Sequence, residues 1–393
     1  MAEGAKPRRA RPDRGASSTF CERRALESHL SAQDSLRGAV VRGLDLRGLD
    51  LIWSEIDVQD TLFLGCQFAS SDDLLAVRKG GGVLFPPFED LPYRPYRAGL
   101  YTWRELLDGY EPERDRSLDR RIYDHFVENG RHHPDLREAL AQRLHDHAID
   151  AAVRVLIGLN GDDGTTERRL VGVMGGHGVS RGAPAYREVA RIARSLAREG
   201  YFLVSGGGPG VMEAANLGAY LSEGEDAVLE SAIDAMTDAP RYRDPVYVAA
   251  ALRVLDRHPD GTQNLAIPTW FYGHEPSNVF ATHIAKYFSN SLREDALLSL
   301  CLHGIVYAPG SAGTTQEIFT DAAQNHYASL DWVSPMVFLG RERYIEQTGI
   351  FPLMERLAVG RRYSDMLFCS DDGGEVVDFI RRHPPLASES GVD

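Results

Sequence analysis

The sequence predicts an α/β protein built on a doubly wound parallel sheet, and one pattern repeated three times predicts it. A short apolar run, a glycine-rich turn and a helical stretch follow one another at 170–176, at 201–212 and at 304–317. Runs this short and β-branched read as buried strands, and each ends where glycine or proline forces the chain to turn. In a parallel sheet such turns gather at the carboxyl edge of the strands, where open α/β sheets bind their ligands.

Taken in order, the chain divides into five stretches. Residues 1–35 read as a disordered tail and lead-in, with Arg8, Arg9, Arg11 and Arg14 as solvated charge. Residues 36–70 carry a period of five whose central positions are Val41, Leu46, Leu51, Ile56, Thr61 and Cys66. That period resembles pentapeptide repeats, which predicts a short pentapeptide-type β-helix burying those side chains and leaving Arg37, Arg42, Arg47 and Asp57 in solvent. Two β-hairpins are the other reading. So short a solenoid lacks an end cap and needs a covering surface.

Residues 71–165 read as a Pro- and Gly-rich linker over 72–97 and then a helical segment broken near Gly130 and Pro134. Residues 166–385 form the sheet domain, interrupted by an insertion at 222–276, and 386–393 form a loose tail. The insertion ends in Trp270, Phe271, Tyr272, His274 and Glu275. Its aromatic side chains suit either stacking on a base or packing, and His274 with Glu275 suits an acid/base pair or a structural one. The stretch 280–301 is amphipathic, with Ile284, Phe288, Leu292, Leu297 and Leu300 inward.

The third turn carries the chemistry. Gly310 and Gly313 let a ligand approach the backbone, while Thr314 and Thr315 can cap or bond an anion at the positive end of the following helix. Glu317 lies about one helical turn further in, so its carboxylate can act on the part of the ligand next to the phosphate. The second turn, with Gly206, Gly207, Gly208 and Met212, and the first, with Gly175 and Gly176, lie at the same carboxyl edge, where a nucleotide can bind. Arg293 is placed to serve as a fixed cation, or else to pair with Glu294 or Asp295 on a surface helix.

Composition narrows the partners. With 43 Lys and Arg against 57 Asp and Glu, the net charge of -14 argues against broad affinity for nucleic acid or a membrane surface. Cys21, Cys66, Cys301 and Cys369 are scattered without metal-ligand spacing, and no long apolar span appears, which points to a reduced, cytoplasmic protein without a metal.

The second and third turns, Ser-Gly-Gly-Gly-Pro-Gly-Val-Met-Glu at 205–213 and Pro-Gly-Ser-Ala-Gly-Thr-Thr-Gln-Glu at 309–317, resemble the GGGxGxM and PGGxGTxxE stretches of the LOG (LONELY GUY) family. The likeness covers 168–382. It implies a Rossmann-like domain, a homodimer, no cofactor, and a phosphoribohydrolase that splits an AMP-like nucleoside 5′-monophosphate into free base and ribose 5-phosphate. It also implies catalytic roles for Glu317 and Arg293, and it alone adds Ser311 to the phosphate anchors. A nucleotide-binding or sensing protein without hydrolysis is the alternative, and a DNA-processing protein on a related domain is a third class that the acidic balance disfavours.

Overall fold

A computed structural model describes residues 18–112, 114–160 and 165–387. The described residues up to Ala98 form one compact unit and those from Gly99 a second. The tail with Arg8, Arg9, Arg11 and Arg14 lies outside the described residues.

In the first unit the strands β1 (Thr19–Phe20), β2 (Val40–Arg42), β3 (Leu62–Leu64) and β4 (Val83–Phe85) pair in parallel, in that order. Val40 pairs with Leu62 and Leu62 with Val83, so the chain completes one circuit between each pair. Val41, Leu46, Thr61 and Cys66 are buried, and Leu51 and Ile56 pack partly buried against the same core. This arrangement does not establish a regular β-helix: helix α1 (Arg23–Ala32) precedes the coil, and α2 (Ser71–Lys79) interrupts it. The stretch expected to be a linker thus contains α2, closed at its start by a capping box between Ser70 and Asp73, and β4. Arg42 corrects a sequence expectation. It is buried rather than solvated, because the register of β1 on β2 brings Cys21 alongside it.

The second unit opens with α3 (Trp103–Leu106), α4 (Leu118–Glu128) and α5 (Leu136–Ile157), followed by the two-residue pair β5 (Leu159–Asn160) and β6 (Thr165–Thr166). The break at Gly130 and Pro134 falls where the sequence places it. Ser117 and Asp135 cap α4 and α5 through their side chains, and Gly158, at φ 63, ends α5 in the left-handed region.

The sheet is seven-stranded and parallel. Its strands are β7 (Arg169–Met174), β8 (Tyr201–Ser205), β9 (Leu265–Ala266), β10 (His283–Ile284), β11 (Ile305–Tyr307), β13 (Met336–Leu339) and β14 (Leu367–Ser370), in the order β10-β9-β8-β7-β11-β13-β14. The first four run outward from β7, and the chain then returns to β11 on its other side. Order therefore reverses between β7 and β11, which opens a crevice at their carboxyl ends. A short antiparallel pair, β12 (Trp332–Val333) with β15 (Leu386–Ala387), ties down the start of the expected loose tail.

Connecting helices cover the sheet. On one face α6 (Pro184–Arg198) packs on α7 (Val211–Tyr220) and α13 (Gly373–Arg382); on the other, α10 (Asn290–Leu300) packs on α11 (Ala312–Tyr327). Right-handed crossovers that run in opposite directions from β7 require this division. Between them lie Val171, Val173, Leu203, Val306 and Val337 from the strands and Val189, Ile192, Leu196 and Leu217 from the helices, all buried.

Two sequence readings change here. The insertion supplies α8 (Asp226–Asp234) and α9 (Tyr247–Arg257), but Leu265–Ala266 inside it is a strand of the sheet. The amphipathic stretch 280–301 is helical only from Asn290, because His283–Ile284 pairs in register with Leu265–Ala266. The helical segment before the sheet is anchored to these parts. Asp119 on α4 accepts from Trp270 Nε1 at 2.7 Å, Ser277 Oγ at 2.7 Å and Lys286 Nζ at 2.9 Å, and Asp146 on α5 accepts from the backbone of Phe288 and Ser289. Burial works to raise the Asp119 carboxyl, but Lys286 and its hydrogen bonds outweigh it and hold it below the usual range.

Among the described residues, Asp321 on α11 has no cation to offset its burial. Desolvation pushes its carboxyl up to about 7, against a hydrogen bond from Tyr307 Oη at 2.8 Å. The folded chain therefore holds a proton that the unfolded chain releases near pH 4, so stability is full below that pH and falls as pH rises toward 7. Replacing Asp321→Asn is expected to flatten this fall, by up to about 4 kcal/mol between pH 4 and pH 8. Urea unfolding of both proteins across that range checks it.

Candidate functional site

Three glycine turns meet at the carboxyl edge of β7, β8 and β11. The central turn holds the others: Gly176 N–H donates to Pro309 O at 3.0 Å, and Gly176 O accepts from Val211 N–H at 3.2 Å. Gly175 lies against Val211, where a Cβ would come within 2.6 Å of the valine side chain. The first turn thus stitches the second and third together.

In the third turn, α11 begins at Ala312 with Ser311 as its N-cap, and no side chain caps it. The first amides of the helix have no partner within it and carry the positive end of its dipole, which makes this end a seat for an anion. Ser311 and Gly313 are exposed there, and Thr314 is buried behind Gly310. Thr315 is not available to a ligand through its donor, since its hydroxyl donates back to Ser311 O at 3.1 Å. Arg343 steadies the turn, donating to Gly310 O at 2.7 Å.

The second turn is packed too tightly for side chains. A Cβ on Gly206 would lie 2.5 Å from Arg293 Nη2 and 2.7 Å from Met212 Sδ; one on Gly208 would lie 2.7 Å from Met212 Cε and 2.8 Å from Glu275 Oε2. The Gly207 N–H is committed to Ser205 Oγ at 3.0 Å, so it holds the turn's shape. Glu213, one residue beyond Met212, points away from the rim into a buried pair with Arg181 and accepts from Tyr186 Oη.

Arg293 and Glu317 come together between these two turns. Arg293 Nη1 donates to Glu317 Oε1 at 3.1 Å, Nε donates to Ile267 O at 2.9 Å, and both residues are buried. Arg293 is therefore the partner of Glu317, not a cation swung onto the phosphate turn or paired with Glu294. Glu294 instead accepts from Asn290 at 2.7 Å and Gln316 at 2.6 Å. Desolvation raises the Glu317 carboxyl above the usual range, opposed by the charge and hydrogen bond of Arg293.

The aromatic segment of the insertion borders the same rim. Trp270 is fully buried and packs on Phe288, with ring centroids 4.8 Å apart, so it belongs to the core. Tyr272 is exposed, and its hydroxyl accepts from Asn290 Nδ2 at 2.9 Å, which holds the ring beside the Arg293–Glu317 pair. Asn290 Oδ1 is buried with no hydrogen-bond partner among the described residues. His274 and Glu275 do not pair with each other: His274 lies 3.8 Å from Asp119, whereas Glu275 Oε1 lies 2.9 Å from His177 Nδ1.

Sequence reasoning missed His177, Asn290 and Arg343. His177 carried a local signal, a titratable side chain directly after Gly175 and Gly176. Asn290 and Arg343 carried none, because only their contacts with distant segments, Tyr272 for Asn290 and Gly310 for Arg343, bring them to the rim.

The fold and this rim define the second unit as a Rossmann-like α/β domain. Residues 168–227, from the start of β7 into α8, match the model of the SLOG cluster4 family, which supports a LOG-like Rossmann grouping for that stretch. No curated protein matches the chain. Among solved structures, the chain is similar to the molybdenum cofactor carrier protein of Chlamydomonas reinhardtii, at 14% identity over 55% of this chain and 98% of that one, with a TM-score of 0.34. It is also similar to the molybdenum cofactor binding protein of the phototrophic bacterium Rippkaea orientalis, at 15% identity over 56% and 98%, with a TM-score of 0.36. Likeness at that level assigns nothing to the chemistry of this chain. No helix among the described residues is long and apolar enough to cross a membrane.

The buried pair yields a test of its own. In Arg293→Met, Glu317 loses the guanidinium whose charge and hydrogen bond lower its carboxyl, so it titrates at higher pH and the ionised form becomes costlier. A raised carboxyl contributes stability below its unfolded value and loses it as pH rises. The gap in unfolding midpoint between wild type and Arg293→Met is therefore expected to widen from pH 5 to pH 8, as thermal unfolding at both pH values would read.

Proposed function

We propose that the second unit binds a nucleoside 5′-monophosphate across the β7–β11 crevice and hydrolyses its N-glycosidic bond, releasing free base and ribose 5-phosphate. The observation that carries this reading is the buried Arg293–Glu317 pair, set between the anion seat of α11 and the Gly206 turn. The phosphate takes the amides and hydroxyls at Gly310, Ser311, Gly313 and Thr314. The sugar then lies toward Glu317, with Gly175 and Gly176 beneath it and Gly206, Gly207, Gly208 and Met212 along its side.

Glycosidic cleavage builds positive charge on the ribose as the base departs. A carboxylate in a poorly solvated place stabilises that charge more than one in water does, and it can take the proton of the attacking water. Burial raises the Glu317 carboxyl, which makes it a better proton acceptor than a solvated carboxylate. Arg293 holds the carboxylate in place and keeps it ionised. Tyr272 offers a face on which the base can stack, and Asn290 Oδ1 offers an acceptor.

Binding without hydrolysis is the second reading. One observation favours it: Glu317 is already engaged by Arg293, as expected of a pair that only shapes a pocket. A base-release screen with AMP, CMP and GMP separates the two. Under the hydrolase reading, Glu317→Gln keeps nucleotide affinity within about threefold and lowers turnover by roughly 10²-fold or more. Turnover is also expected to fall with acidity through a limb above the ordinary glutamate range. Unchanged turnover in Glu317→Gln sinks the assignment, and absence of base release from every nucleotide leaves the binding reading.

A further inference from the structure

A departing base needs a proton, and Glu317 sits on the sugar side of the proposed bond. We infer that His177 delivers that proton from its Nε2, with Glu275 as the positioning residue that orients the ring. The inference rests on the hydrolase reading above and adds to it the group that activates the leaving base.

Geometry supports it in three ways. His177 directly follows Gly176, at the carboxyl end of β7, so the topology alone puts it on the crevice. Its Nδ1 lies 2.9 Å from Glu275 Oε1, while among the described residues no hydrogen bond engages Nε2. Glu275 in turn approaches Gly208, two residues from the Gly206 that Arg293 approaches. Both pairs therefore border the same glycine turn, one at Gly206 and the other at Gly208.

An imidazole whose Nδ1 is held by a carboxylate presents Nε2 in a fixed direction, which is the arrangement that proton transfer needs. In the step itself, the C1′–N bond breaks and its electron pair passes to the base. The Nε2 proton of the imidazolium moves to a ring nitrogen of that base. Water bonds to C1′ and gives its own proton to the Glu317 carboxylate. One water is consumed, and transfer of the Glu317 proton through solvent restores His177. The side chain is 58% exposed, so both the base and solvent can reach it.

A leaving group that needs no proton tests the role directly. The full chain would be assayed with nucleoside 5′-monophosphates and with 4-nitrophenyl ribofuranoside 5-phosphate, whose phenolate departs as a stable anion. His177→Gln is expected to slow base release by roughly 10²-fold while changing nitrophenolate release by less than about threefold. Glu275→Ala is expected to show the same selectivity at about tenfold. Equal losses on the two substrates, or unimpaired base release by His177→Gln, overturn the inference while leaving the hydrolase reading intact. A wild-type chain that releases neither product overturns both.

Discussion

The candidate site depends on one buried contact, the salt bridge between Arg293 on α10 and Glu317 on α11. A carboxylate taken out of water at this depth is costly unless a cation accompanies it, and α11, which carries Glu317, has no Lys or Arg of its own. Arg293 reaches it only because α10 and α11 pack against each other below the rim. The same guanidinium also donates to Ile267 O, so a single side chain fixes the separation of the second turn, the third turn and the start of the aromatic segment.

That constraint explains features that look unrelated along the chain. Gly206 has no room for a side chain because the guanidinium and Met212 occupy it, and Gly208 has none because Met212 and Glu275 do. The helical segment before the sheet serves the same end from further away. Asp119 gathers Trp270, Ser277 and Lys286, and Asp146 caps the backbone at Phe288 and Ser289. The two aspartates pin both ends of the stretch that presents Tyr272, Glu275 and Asn290 to the crevice.

Charge is distributed unevenly around the rim. The α11 terminus and Arg343 lie at one end, whereas Glu317, Glu294 and Glu275 gather at the other with Arg293 and His177 beside them. An anionic group is therefore favoured at the α11 end alone. The protein's overall charge of -14 is no obstacle, since the field at the anion seat is set by amides a few ångströms away.

The sequence by itself determined the doubly wound sheet and the turns at its edge, because short apolar runs ending in glycine have few ways to bury themselves. It also placed Gly310, Ser311, Gly313 and Thr314 at a helix start, since strand, turn and helix are local. It could not determine what Arg293 pairs with, that Arg42 is buried, or that His274 and Glu275 part company. Nor could it reveal β9 and β10, whose two-residue pairings carry no periodicity of their own. Those were decided by tertiary structure. Partners of long side chains are chosen by which helices and strands pack side by side, and that choice is made between segments far apart in the chain.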